Sequence, residues 1–226
     1  MKAIVRYEYG STDTLQLRDI NTPAIADDEV LVRVLAAGVD RGVWHIMTGL
    51  AYPIRLAGFG VRAPKNPVLG MDLAGVVHAV GKDVTRFRPG DEVFGIGRGT
   101  FAGYAPALER KLAPKPANLT FEQASALAIS GLTALQALRD RGKVVPGQQV
   151  LVIGASGGVG SYAVQIAKAY GAQVTGVCGT TKVDLVRSLG ADHVIDHTRA
   201  DFADGRRRYD LILDSDALPP MSRIRS

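Results

Sequence analysis

The chain carries a single cysteine, Cys178, in 226 residues. That excludes a disulfide framework and any metal cage built from thiolates. It opens without the apolar core of a secretory signal, and no apolar run approaches a membrane span. A cytoplasmic enzyme with no membrane partner is the expectation. No basic patch is interleaved with aromatics, so no nucleic-acid partner is expected. The formal net charge of +5 comes from scattered Lys and Arg, which reads as a solvated basic surface. The densest run, Arg206-Arg207-Arg208, falls between two strands as an exposed loop. What is present is ordinary for a soluble globular protein: 46% apolar and 22% charged residues, with length for one large or two modest domains.

The most informative stretch is Gln149 to Gly160. Its first five residues, Gln149 to Ile153, are apolar after one polar lead, follow the turn Pro146-Gly147 and read as a buried parallel strand. Ala155, Ser156, Gly157, Gly158, Val159 and Gly160 are small, and Ala163, Ile166, Ala167 and Tyr170 then recur at helical spacing. A strand, a tight small-residue turn and a helix aim backbone amides at whatever lies above the strand, and such amides suit a phosphate. Further strands are expected at Gln173–Cys178, His193–Ile195 and Asp210–Asp214, with a short helix at Val183–Leu189 stopped by Gly190. Strands alternating with helices imply an α/β unit with a parallel sheet.

The same residues admit a second reading. Gly154-Ala155-Ser156-Gly157-Gly158 fits the G-x-S-x-G elbow of hydrolases, which would make Ser156 a nucleophile served by Asp192 or Asp196 and by His197. An elbow serine normally follows several strands of its own sheet, and the preceding sequence is of another kind.

Residues 1–118 read as mostly β. Short strands are expected at Ala3–Tyr7, Leu15–Ile20, Glu29–Ala37, Val68–Val80 (bent at Gly70 and Gly75), Glu92–Gly95, Phe101–Ala105 and Arg110–Leu112. Many short strands with regular turns imply a closed or nearly closed β domain. Ala51 to Pro67, rich in Gly and Pro, reads either as a cleft-lining loop or as a surface loop. Pro114 to Asn118 marks the boundary between domains 1–118 and 119–226. Thr120 and Gln123 then form a capping box for a helix that Gly142 stops.

In this order the chain resembles the medium-chain dehydrogenase/reductase superfamily, most closely its zinc-independent quinone oxidoreductase-like branch. The resemblance rests on Ala37-Gly38-Val39-Asp40, Leu69 to Val77, Val80-Gly81, Phe87 to Gly95, Leu132-Thr133-Ala134, Gly154 to Gly160 and Leu189-Gly190-Ala191-Asp192. It implies an α/β fold with a GroES-like β-barrel catalytic domain and a doubly wound Rossmann domain, with a nicotinamide cofactor in the cleft between them. It also implies that Asp40 and Thr133 sit near the nicotinamide, with His45 close by, as groups that orient substrate or relay a proton. Zinc-containing relatives have a cysteine where this chain has Asp40 and a His-Glu pair where it has Met71-Asp72, so no zinc is expected. Without a Lewis-acid metal a simple carbonyl is poorly polarised, and a quinone or activated enone becomes the expected small-molecule substrate.

By the same resemblance, Cys178, Gly179, Thr180, Thr181, Lys182 and His197 line the adenosine end of the cofactor. An NAD-specific domain places an acid after its second strand. Here Val177 to Lys182 contains none, and hydroxyls plus Lys182 suit a 2′-phosphate, so NADPH is expected over NADH. The family usually carries a serine at Gly179 and a tyrosine at His197. A full doubly wound sheet has six strands, and four precede Pro219-Pro220 here. The Rossmann domain is therefore expected to be incomplete, lacking strands five and six and the return to the catalytic domain. Complete relatives are homodimeric, and this form is expected to self-associate through the Leu211–Leu213 edge. A nucleotide-binding remnant or sensor without turnover is the remaining alternative.

Overall fold

The structure is a computed structural model that describes residues 1–50, 53, 55–205 and 207–216. Ala51, Tyr52 and Ile54 of the expected loop, Arg206 of the basic run, Pro219-Pro220 and the tail Met221–Ser226 lie outside the described residues. The chain divides into two compact units, Met1–Ile129 and Ser130–Ser226.

In the first unit, β1 (Lys2–Val5) and β2 (Gln16–Asp19) form an antiparallel hairpin. A five-stranded antiparallel sheet runs in the order β6-β3-β4-β5-β7, where β3 is Glu29–Ala36, β4 Asp72–Val80, β5 Glu92–Ile96, β6 Tyr104–Leu108 and β7 Leu112–Pro114. Val30, Val32, Leu73, Val77, Val93 and Ala105 from these strands make its core. Gly75 is where β4 comes hard against β3, since a side chain there would strike the Arg33 carbonyl. The register slips between Val34 and Ala36 at the same place. Helix α1 (Arg41–Thr48) follows β3. Asp40 caps it by accepting from the Val43 N–H at 2.8 Å, and Gly49 closes it at φ 61°.

The strand expected at Phe101–Ala105 lies instead at Tyr104–Leu108. Among the described residues β6 is an edge strand paired only with β3, so Pro106 fits inside it without losing a ladder bond. The strand expected at Arg110–Leu112 is a 3-10 turn (Glu109–Lys111) leading into β7. The expected loop before Pro67 contains a π-type turn at Arg55–Phe59. Tyr9 pins it by donating its hydroxyl to the carbonyls of Phe59 and Gly60, at 3.0 and 2.6 Å.

The helix expected from Thr120 to Gly142 is broken. The capping box forms as expected on α2 (Phe121–Ser125). α3 (Ala128–Leu135) then starts afresh and passes into a π-type turn, Gln136–Arg141. Gly142 is not left-handed; that conformation belongs to Lys143, at φ 49°. Gly142 is small because Leu211 lies where its side chain would be, 2.7 Å from that position.

The second unit carries a parallel sheet in the order β10-β9-β8-β11, from β8 (Gln149–Ile153), β9 (Gln173–Cys178), β10 (His193–Asp196) and β11 (Leu211–Asp214). This is the expected order of a doubly wound sheet about its first strand. β8 is buried from Val150 to Ile153, as its unbroken apolar run requires. α4 (Gly158–Ala169) buries Gly160, Ala163, Val164 and Ala167, one face at helical spacing. α5 (Val183–Ser188) covers β9 and β10 and is followed by Gly190 at φ 101°.

Candidate functional site

In the second unit the site is the turn from β8 into α4. Gly154 leaves the strand at φ 76°, a conformation open to glycine at little cost. The Gly157 N–H returns to the Gly154 carbonyl at 2.9 Å, and Gly157 then caps α4 with no side chain. The first amides of α4, on Gly158, Val159 and Gly160, therefore head the helix without a side-chain partner. Amides in that position have no intrahelical acceptor and carry the positive end of the helix dipole. At Gly160 a side chain would strike the Gly154 carbonyl, and at Gly158 it would lie 2.9 Å from the Ser130 hydroxyl. The turn thus has the narrow backbone cradle that fits a dinucleotide pyrophosphate.

Ala155 and Cys178, expected among the cofactor contacts, have their side chains in the core instead. Ala155 is fully buried beneath the turn, and its N–H donates to the Val177 carbonyl at 2.9 Å. Cys178 is 3% exposed, and burial pushes its thiol up from its ordinary value. Ser156 lies in the turn, half-buried. Among the described residues it has no hydrogen bond to a histidine. Asp192 is held by Lys168 at 2.7 and 2.8 Å and accepts from the Val174 N–H, while Asp196 is held by threonines. The triad of the hydrolase reading is not assembled.

The loop after β9 presents Thr180, Thr181 and Lys182 at the surface, and Lys182 forms no ion pair among the described residues. Gly179 faces His197, whose Nε2 lies 3.7 Å from where a side chain would begin. A carboxylate does reach this loop, from the neighbouring strand. Asp196 is paired in register with Cys178 and accepts from the Thr180 hydroxyl at 2.7 Å and from the Thr198 hydroxyl and N–H at 2.7 and 3.0 Å. Those hydrogen bonds, Thr180 first, hold it below the usual carboxylate range. Arg199 lies 3.5 Å away and partly offsets its charge. Parallel register with β9 was the signal that could have found it.

In the first unit, Asp40 and His45 share α1. Asp40 uses Oδ1 for the cap, and the His45 ring meets the Trp44 ring edge-on, centroids 5.0 Å apart. Thr133 is an exposed residue of α3, in the second unit. Asp40, Met71 and Asp72 converge although thirty residues separate them in sequence: a side chain at Gly42 would lie 3.1 Å from Asp40 Oδ1 and 3.6 Å from the Met71 methyl. Asp72 is 2% exposed. Burial chiefly, with the Asp40 charge adding, raises its pKa to about 6, and the hydrogen bond from the Ile129 N–H at 2.9 Å opposes the rise. The donors gathered here do not fit zinc. One carboxylate is engaged in capping, another is buried and accepts from the Ile129 N–H, the third donor is a thioether, and no group of three His, Cys, Asp or Glu among the described residues could hold a metal.

Known proteins bear on both units. The family model for the alcohol dehydrogenase GroES-like domain matches residues 26–117, and that described as zinc-binding dehydrogenase matches residues 158–213. The chain is 36% identical over 229 residues to a 2-methylene-furan-3-one reductase of Solanum lycopersicum, covering 95% of this chain and 57% of that protein. It is 34% identical over 227 residues to the chloroplastic quinone-oxidoreductase QR1 of Triphysaria versicolor, covering 94% and 67%. Among solved structures it resembles the Escherichia coli quinone oxidoreductase complexed with NADPH, with a TM-score of 0.79 and 31% identity over 90% of this chain and 60% of that one. The chain thus spans less than two thirds of the tomato protein.

Proposed function

The chain belongs to the medium-chain dehydrogenase/reductase superfamily, in its quinone oxidoreductase-like branch, and from that premise we propose that it is an NADPH-dependent, zinc-independent oxidoreductase that reduces a quinone or activated enone. The observation that carries the reading is the β8–α4 cradle followed, after β9, by a loop with a cation and no acid of its own. Gly157, Gly158, Val159 and Gly160 hold the pyrophosphate, and Thr181 and Lys182 hold the 2′-phosphate. When bound, NADPH supplies the hydride. Asp196 works against a second phosphate, and Arg199 beside it offsets that charge.

The chain's own groups have the remaining tasks. The substrate must delocalise negative charge by itself, because no metal polarises it. A quinone or conjugated enone does so, and a simple ketone does not. His45 delivers the proton to the oxygen where that charge collects, a step worth about 10²–10⁴ in rate for a placed acid. Asp40 is a positioning residue: its cap fixes the first turn of α1 and so the direction of His45. Thr133 orients the cofactor or substrate through its hydroxyl.

Titration calorimetry with both cofactors tests the preference. NADPH should bind more tightly, and Lys182→Ala should weaken NADPH by about tenfold, the scale of one charge-assisted contact, while leaving NADH unchanged. Equal or tighter NADH binding by the unsubstituted chain overturns the assignment. Quinone-dependent NADPH oxidation then separates the enzyme from a nucleotide-binding protein without turnover. His45→Gln should lower kcat with little change in NADPH affinity, and elemental analysis should find no stoichiometric zinc.

A further inference from the structure

Arg6, the residue after β1, is the largest fully buried side chain among the described residues, 2% exposed. One of its nitrogens is satisfied: Nη2 donates to the Ile46 carbonyl at 2.9 Å. Nε and Nη1 are buried and have no partner among the described residues. The Tyr9 ring lies 5.3 Å from the guanidinium, and among the described residues no carboxylate forms an ion pair with it. Desolvation lowers its pKa, yet a guanidinium stays charged in proteins. A buried cation with two idle donor nitrogens is costly unless something answers it.

Arg6 forms part of the wall of a cavity of about 680 Å³, contained within the first unit. That volume suits a small organic molecule. Val43, Ile46, Phe59 and Leu69 supply apolar wall, and Lys65 and Lys111 stand at its rim without ion pairs among the described residues. Arg98 also borders it but is tied to Glu29 at 2.6 Å. Among the described residues none of those lining it is acidic. The cavity therefore combines an apolar body, one buried unanswered cation and two free surface cations.

We propose that this cavity binds a small amphipathic carboxylate, with the head group on Arg6 and the apolar part against Val43, Ile46 and Phe59. The cavity is lined by first-unit residues alone, and the proposal stands whether or not the oxidoreductase reading does. A neutral molecule of the same shape fills the space but leaves Arg6 unanswered, so charge is the discriminating property.

The test uses the whole 226-residue chain without cofactor, and octanoate and methyl octanoate as probes in calorimetry and ligand-observed NMR. Octanoate should bind with a Kd of about 1 mM or tighter, and the methyl ester at least about tenfold more weakly. Arg6→Met should weaken octanoate by about tenfold or more, and the Lys65→Ala/Lys111→Ala pair should weaken it severalfold and flatten its salt dependence. If Arg6→Met does not fold, the acid–ester comparison and the rim variant decide the matter. Equal binding of acid and ester, octanoate binding unaffected by the rim lysines and Arg6, or no octanoate binding overturns the proposal.

Discussion

Asp72 is a carboxyl group shut away from water and placed beside a second carboxylate. Its folded-state pKa, about 6, lies above the ordinary 3.8, so the folded chain holds that proton more tightly than the unfolded chain does. The stability this confers is complete below pH about 4 and is lost as pH rises through about 6. Above that, a buried charge is carried at a cost of up to roughly 3 kcal/mol, from 1.36 kcal/mol per pKa unit. Asp72→Asn keeps an oxygen for the Ile129 N–H and removes the charge. Unfolding free energies from urea titration should be higher in the variant than in the parent at neutral pH, by about 1–3 kcal/mol, with the difference vanishing near pH 4. Parallel pH profiles for the two proteins would mean that Asp72 ionises in the folded chain as it does in the unfolded one. Asp40 allows a complementary comparison. Asn caps a helix as well as Asp does, so Asp40→Asn should retain the stability of α1 and Asp40→Ala should lose about 1 kcal/mol in thermal unfolding. If Asp40→Asn also retains turnover, the carboxylate charge itself is not used.

Among the elements, α2 stands on its capping box more than on its length. Five residues are too few for a helix to persist alone. Thr120→Ala should cost about 1 kcal/mol by denaturant unfolding and Thr120→Ser almost nothing; equal losses for both would show that packing rather than the cap holds the turn. In α4, Gly160→Ala should cost about 1–3 kcal/mol of stability, since its methyl meets the Gly154 carbonyl and the backbone must move. It should also abolish cofactor binding, whereas Gly157→Ala, whose methyl would lie 3.3 Å from that carbonyl, should be milder. These local features were legible in the chain: an apolar run, a capping box and a glycine turn each act over a few residues. The break between α2 and α3 was not. The amide of Ile129 is satisfied by Asp72, a residue on a strand far earlier in sequence, and no local pattern announces such a cap. The same holds for the Asp196 carboxylate beside Thr180 and for the space that Leu211 takes at Gly142. The strand expected at Phe101–Ala105 runs on through Pro106 because a proline is harmless on an edge.

For the molecule as a whole, β11 pairs with β8 alone among the described residues. An unpaired strand edge is a template for another chain. Prepared as residues 1–226, the protein should show a sedimentation coefficient that rises with concentration; a concentration-independent monomer would mean that this edge is covered. Charges on β11 are a poor way to block it. Leu211 and Leu213 reach the large core around β8 and α4, and Ile212 reaches the smaller cluster on the other face. Lysine at any of the three would unfold the sheet before it prevented pairing, so peptide competitors or solution conditions are the better probe.

The strand registers also set a timetable. In the first unit Glu29 must find Leu108, with most of the unit's chain looped between them. In the second, Gln149 meets Gln173 across one helix. Closing the longer loop costs more entropy before any contact repays it, and chains rich in distant pairings fold slowly. The chain's one tryptophan, Trp44, lies on α1 of the first unit, so its fluorescence reports the slower half. After a denaturant jump, the far-ultraviolet helical signal should recover ahead of the Trp44 emission. A single shared rate would mean that neither half completes its sheet before the other.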